Sequence, residues 1–235
     1  MNDARKRLII ALDDLELKQV LELISLTHEF SAIFKVGLGL FTAYGPSIIN
    51  EIKSLGSEVF LDLKLHDIPM QVARAVEGAL KHEPLFLTLH ASGGSSMLCA
   101  AAQAAKGSQT QLLAVSVLTS LDQQQWQQIG FSDPISVSTI KLLDLAFKAN
   151  INGFVLSPHE IRAVKKIYGP SCVTVCPGIR PSDSQVGDQA RFMTPAQALK
   201  AGADFLVVGR PISMSPQPKL SAERICQEMT EVAKR

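Results

Sequence analysis

The chain has 235 residues, with 23 Lys and Arg against 22 Asp and Glu and a hydrophobic fraction of 46%. A chain of this length buries roughly 70% of its surface around one core, which excludes a disulfide-stapled mini-protein, while the balanced charge excludes the composition of a disordered chain and removes the electrostatic warrant for a nucleic-acid partner. The four cysteines form neither a CxxC pair nor a zinc spacing and point to a reduced, cytoplasmic compartment; the apolar stretch after Arg5, Lys6 and Arg7 ends at Asp13 with no small-residue cleavage site, which argues against a signal sequence or membrane span.

Short apolar runs, many rich in β-branched residues, recur along the chain and alternate with segments of helical period. Leu8 to Asp13 and Ala32 to Val36 read as the first two strands. Pro46 then opens a helix whose Ile48, Ile49, Ile52 and Leu55 form a stripe and which stops at Gly56. Glu58 to Lys64 is the third strand, and Pro69 opens the next helix with Val72, Ala75, Val76 and Ala79 inward. Leu85 to His90 and Leu112 to Leu118 follow as strands. The long interval after Leu118, containing LDQQQWQQIGFSDP, has room for an extra helix; Trp126 and its glutamines read as a lid or, with more weight, as solvent-facing decoration. Pro134 precedes a longer helix containing Val137, Ile140, Leu143, Leu145 and Phe147. Gly153 to Ser157, Cys172 to Cys176 and Asp204 to Gly209 complete eight strands, with Thr194 and Pro195 as cap and first turn of an intervening helix. A polar final helix, around Leu220 to Val232, reads as an outer cover.

Eight strand-then-helix units without linker, low-complexity tract or internal repeat predict one α/β domain over residues 1–235, a (βα)8 TIM barrel near its minimum size. A doubly wound open sheet is the competing arrangement. In a barrel, chemistry sits at the C-terminal strand ends, and these carry Asp13, Lys35, Asp62 with Lys64, His90, Thr119 with Ser120, Ser157, Arg180, and Gly209 with Arg210. Within DLKLHDIP, a period of two puts Phe60, Asp62 and Lys64 on one face and Leu61 and Leu63 on the other, with charges two residues apart standing about 6.6 Å apart along the strand. Asp67 lies just beyond. Lys35, Asp62, Lys64 and Asp67 thus form an array of alternating charge, readable either as a salt-bridge cluster or as catalytic machinery. Arg180, the small polar loop after it, and Gly209 with Arg210 suit a phosphate, although neither glycine-rich stretch matches a nucleotide fingerprint. Asp62, His66, Asp67 and His90 fit no metal signature, and the adjacent lysine opposes a divalent cation, so the histidines read as core or supporting groups. A Schiff base on Lys64 is disfavoured because flanking carboxylates hold the amine as an ammonium, a poor nucleophile.

ALD ending at Asp13, FKVG around Lys35, FLDLKLHDIP from Phe60, LHASGG from Leu89, LTS from Leu118, PGIRPSD from Pro177 with Gln189, and VVGRPI from Val207 occur in an order that resembles the orotidine 5′-phosphate decarboxylase family, especially its compact bacterial form. The resemblance implies a homodimeric barrel that converts orotidine 5′-monophosphate to uridine 5′-monophosphate and carbon dioxide, the last step of de novo UMP synthesis, without metal or organic cofactor. It implies that Lys35, Asp62, Lys64 and Asp67 are the charged tetrad, with Asp67 reaching into the partner's site. Asp13 and Lys35 would contact the ribose, Thr119 and Ser120 the pyrimidine, and Arg180, Gln189, Gly209 and Arg210 the phosphate. After Pro69 the family pattern of asparagine or threonine and then threonine is replaced by Met70 and Gln71, so Gln71 stands where a contact to the neighbouring subunit's nucleotide is expected.

The chemistry suits these residues independently. Loss of carbon dioxide leaves an electron pair on C6, which a fixed ammonium at Lys64 stabilises and protonates. A sibling barrel enzyme using a magnesium-stabilised enediolate would carry an acidic ligand near Lys35, and a binding-only scaffold would have no use for a complete tetrad.

Overall fold

The computed structural model describes residues 2–181 and 193–233. Among them, eight parallel strands close a barrel in sequence order: β1 (Leu8–Ala11), β2 (Ile33–Gly37), β3 (Glu58–Leu65), β4 (Phe86–His90), β5 (Gln111–Val115), β6 (Gly153–Val155), β7 (Val173–Cys176) and β8 (Phe205–Val208). Closure runs from β8 back to β1, with Leu8 beside Leu206, Ile9 beside Val207 and Ile10 beside Val208. An open sheet would leave both of these strands with a bare edge, so this pairing decides between the two arrangements.

Each strand sorts its residues by the period of two. Ile9, Ile33, Phe60, Phe86, Leu113, Val175 and Val207 meet inside the barrel, where Phe86 is edge-on to Phe60 at 5.9 Å and to Phe205 at 5.0 Å between ring centroids. Ile10, Phe34, Leu61, Leu87, Ala114, Phe154 and Leu206 point outward into the layer beneath the helices. Burying a phenylalanine fully contributes about 1.5–3 kcal/mol, so the inner rings make a stable floor below the polar strand ends.

Proline and capping signals place the helices well. Ser47–Ser54 follows Pro46 and buries Ile48, Ile49 and Ile52. Pro69–Leu80 starts at its proline and buries Val72, Val76 and Ala79; Ala75 is exposed, because a stripe at 72, 76 and 79 leaves it on the flank. Ile135–Lys148 follows Pro134, and Pro195–Ala201 is capped by Thr194, whose hydroxyl accepts the Gln197 N–H. Pro218–Ala233 closes the described chain.

Two features depart from the sequence reading. A helix over Asn2–Arg7 precedes β1, and its basic residues are structural: Arg5 donates to the His28 carbonyl and Arg7 to those of Ala203 and Asp204. The extra helix after β5 is present at Gln123–Gln128, but Trp126 is not decoration. Its ring is buried, stacks on Phe131 at 4.0 Å and 8°, and donates through Nε1 to Ser138 Oγ, while the surrounding glutamines are exposed. An indole buries large area once its one N–H finds an acceptor, and Ser138 supplies it.

Candidate active site

A cavity of about 300 Å³ opens at the C-terminal ends of the strands. One wall is ionic. Lys35 projects from β2, and its Nζ lies 2.6 Å from Asp13 Oδ2 and 3.5 Å from Asp62 Oδ2. Lys64 Nζ lies 2.9 Å from each oxygen of Asp62. The four groups therefore form one chain, Asp13, Lys35, Asp62, Lys64, with Asp62 gripped by both ammonium groups. Gly37 makes room for it: a Cβ there would stand 2.1 Å from Asp13 Oδ1.

Burial by itself pushes the Asp62 carboxyl upward. The charges of Lys35 and Lys64 and hydrogen bonds from Lys64 and Thr88 outweigh it and hold the group below the usual carboxylate range. Asp62 is thus held in its ionised form although its side chain is buried. His90 is pushed down by burial first, then by His66 and Lys64, with Asp62 opposing. The two imidazoles stand 5.4 Å apart; His90 is half-buried and His66 exposed, so only His90 fits the expectation of a supporting group.

The alternation predicted for β3 holds along the strand, with Phe60, Asp62 and Lys64 lining the cavity and Leu61, Leu63 and Leu65 against the outer layer, but its backbone is irregular. The pairing with β4 shifts register between Leu61 and Leu65, and Lys64 adopts φ +51°. That region is uncommon for a residue with a side chain and marks a local constraint. The Lys64 N–H donates to Thr88 Oγ1 at 2.8 Å, and Thr88 Oγ1 donates to Asp62 Oδ1 at 3.0 Å. Sequence reasoning missed both Thr88 and Gly37. The available signal for Thr88 was a hydroxyl in the middle of the apolar run FLTLH, on the inward period shared with Phe86 and His90.

The remaining walls are different in character. Val115, Val117, Leu118, Val155, Leu156 and Ile179 make an apolar side from β5 to β7, with Thr119 at its rim. Arg180, Gly209 and Arg210 line the third side. Arg180 is buried, and its backbone N–H donates to the Met193 carbonyl at 3.0 Å.

Of the anticipated residues, Asp13, Lys35, Asp62, Lys64, Thr119, Arg180, Gly209 and Arg210 line this one cavity. Asp67, Gln71 and Ser120 do not; all three are exposed, and Asp67 Oδ1 accepts the N–H of Ile68 at 2.6 Å. Gln189 lies outside the described residues. Among the described residues no three His, Cys, Asp or Glu side chains gather as for a metal ion, and no helix is long and apolar enough to cross a membrane. All four cysteines are free thiols.

The sequence matches, over residues 6–225, the family described as orotidine 5′-phosphate decarboxylase / HUMPS. A protein of Geobacter sulfurreducens named orotidine 5′-phosphate decarboxylase is 40% identical over 233 residues, spanning 97% of this chain and 98% of that one. One of the same name from Anaeromyxobacter sp. is 46% identical over 193 residues, 82% and 85% of the two chains. The crystal structure of orotidine 5′-phosphate decarboxylase from Lactobacillus acidophilus is similar with a TM-score of 0.84 at 31% identity, covering 95% of this chain and 99% of that one.

Proposed function

The chain belongs to the orotidine 5′-phosphate decarboxylase / HUMPS family and carries its carboxy-lyase activity, orotidine 5′-monophosphate to uridine 5′-monophosphate and carbon dioxide, and from this premise we propose that Lys64 is the acid that protonates C6. The observation that carries the proposal is the placement of its Nζ at 2.9 Å from both Asp62 oxygens, with Lys35 on the far side of the same carboxylate.

In this reading the C6–carboxylate bond breaks heterolytically. Carbon dioxide leaves, the electron pair remains on C6, and a proton moves from Lys64 Nζ to that carbon; the neutral amine then regains a proton from solvent. Asp62 orients the ammonium and, being ionised, disfavours a second carboxylate beside it. At about 4 Å and an effective dielectric near 20, one charge pair is worth roughly 4 kcal/mol, at most about a thousandfold in rate. More is needed, and binding energy from the far end of the nucleotide supplies it. Arg180, Gly209 and Arg210 take the phosphate, together with Gln189; Asp13 and Lys35 take the ribose; Thr119 and Ser120 take the pyrimidine.

Asp67 completes the tetrad from the other subunit of a homodimer. Its exposure supports this, as does that of Ile68 at 63% and Met70 at 60% beside it, two large apolar side chains left uncovered. Gln71, on the same turn, then reaches the neighbouring nucleotide. Lys35 next to Asp62, where an enediolate enzyme needs an acidic metal ligand, supports metal-independent chemistry.

The test is the fall in orotidylate absorbance on adding the purified chain, with and without a chelator. Equal rates in both are expected. No activity, or activity abolished by the chelator and restored by magnesium, would overturn the reading.

A further inference from the structure

We propose that Thr88 is a positioning residue for the reaction: its buried hydroxyl fixes the backbone of Lys64 relative to the carboxylate of Asp62, and so sets where the ammonium stands. The inference rests on the reading of Lys64 as the proton donor. Thr88 is fully buried in β4 and does not line the cavity, so it acts through its neighbours and touches no substrate.

Three observations converge on it. Between Leu61 and Leu65, β3 spends four steps against the two from Leu87 to Leu89 on β4, so the regular ladder is interrupted where Lys64 sits. At that point Lys64 takes φ +51°, a conformation that its own preference does not hold. The hydroxyl of Thr88 then accepts the Lys64 N–H at 2.8 Å and donates to Asp62 Oδ1 at 3.0 Å.

The direction of these bonds is forced. An amide N–H only donates, so the Thr88 oxygen must accept from it, and the single hydroxyl proton is left for Asp62. That proton needs a carboxylate oxygen carrying none of its own. The bridge therefore fits ionised Asp62 and the bulged backbone of Lys64 together. Removing the hydroxyl leaves a half-buried N–H without its acceptor and takes one donor from the carboxylate.

Thr88→Val keeps the branched shape and removes the hydroxyl, and Thr88→Ser restores it. For Thr88→Val, kcat should fall roughly ten- to a hundredfold, the range for a lost hydrogen bond to a charged group, with KM changed less than about threefold. Thr88→Ser should recover most of the loss. The charged and titratable groups facing Asp62 are Lys35 from β2, Lys64 from β3 and His90 from β4, all unaltered in these variants. Losing the Thr88 donor should therefore move the acidic limb of the rate profile to higher pH, which a general loss of stability would not do.

Unchanged kcat in Thr88→Val, a loss residing wholly in KM, or an unmoved acidic limb would overturn the assignment. If Thr88→Val does not fold, Thr88→Ala takes the same readings. Amide exchange in the unaltered protein needs no variant: the Lys64 N–H should exchange as slowly as the buried amides of β3, and exchange as fast as that of His66 would also overturn it. Absence of orotidylate decarboxylation in the unaltered protein is a separate result, which defeats the parent reading.

Discussion

At Asp62, burial and two ammonium groups pull in opposite directions, and the ammonium groups win. Because the folded-state pKa lies below its ordinary value of 3.8, ionised Asp62 adds stability that is fully present above that value and is lost as pH falls through and below it. Asp62→Asn should accordingly flatten the decline of unfolding free energy at the acid end, measured by urea titration at stepped pH. An equally steep decline would place the acid sensitivity elsewhere. Gly37 permits a different residue-scale test. Its φ of −90° suits alanine, and the obstacle to a Cβ is the tip of a flexible Asp13 side chain. Gly37→Ala should leave the melting temperature within a few degrees while displacing Asp13 from Lys35 and reducing kcat/KM about tenfold or more. A large drop in melting temperature with intact catalysis would contradict that division. Asp13, Lys35, Asp62 and Lys64 were legible in the sequence because charge on an apolar strand is conspicuous. Gly37 and Thr88 were not, since their importance lies in what approaches them across neighbouring strands.

Among the elements, legibility followed local chemistry. Pro69 and the Thr194–Pro195 pair fix helix starts through backbone constraints that act within a few residues, and the strands announce themselves by β-branched runs. The irregularity at Lys64 was hidden because nothing in DLKLHD records how many residues β4 spends beside it. Trp126 was misread for a related reason: its glutamine neighbours describe the exposed side of one helix turn, whereas its burial depends on Phe131 and Ser138, outside that turn. Gly153, at the start of β6, is another nonlocal case. A Cβ there would stand 2.7 Å from the Leu112 carbonyl oxygen and 2.5 Å from Leu113 Cδ2, and a backbone oxygen in a barrel ladder cannot step aside cheaply. Gly153→Ala should cost about 1–3 kcal/mol in chemical denaturation. A neutral result would show that β5 and β6 can separate without penalty.

For the whole molecule, strand order and closure were recoverable because eight alternating units leave few ways to bury both faces of a parallel sheet. Assembly is a different matter, since the exposed Asp67, Ile68 and Met70 find their partners on another chain in the proposed homodimer. Lys64→Ala and Asp67→Ala proteins, each inactive alone, should regain activity on subunit exchange. With complete exchange, half the dimers are mixed and one of their two sites is intact, giving about one quarter of the unaltered activity per site. Heterodimers no more active than their parents would rule out a shared site.

The chain's single tryptophan makes the barrel its own optical instrument. Trp126 is fastened to Ser138 of the following long helix, while Thr119, earlier in the same connection, reaches the cavity rim. The indole is thus screened from solvent and anchored to Ser138 and Phe131, outside the lining of the cavity. Its emission should be blue-shifted in the native protein, move to the red on unfolding, and stay in place when product saturates the site. A red shift on saturation would mean that the Trp126–Phe131 stack opens with binding and that the whole connection, rather than its Thr119 end alone, travels.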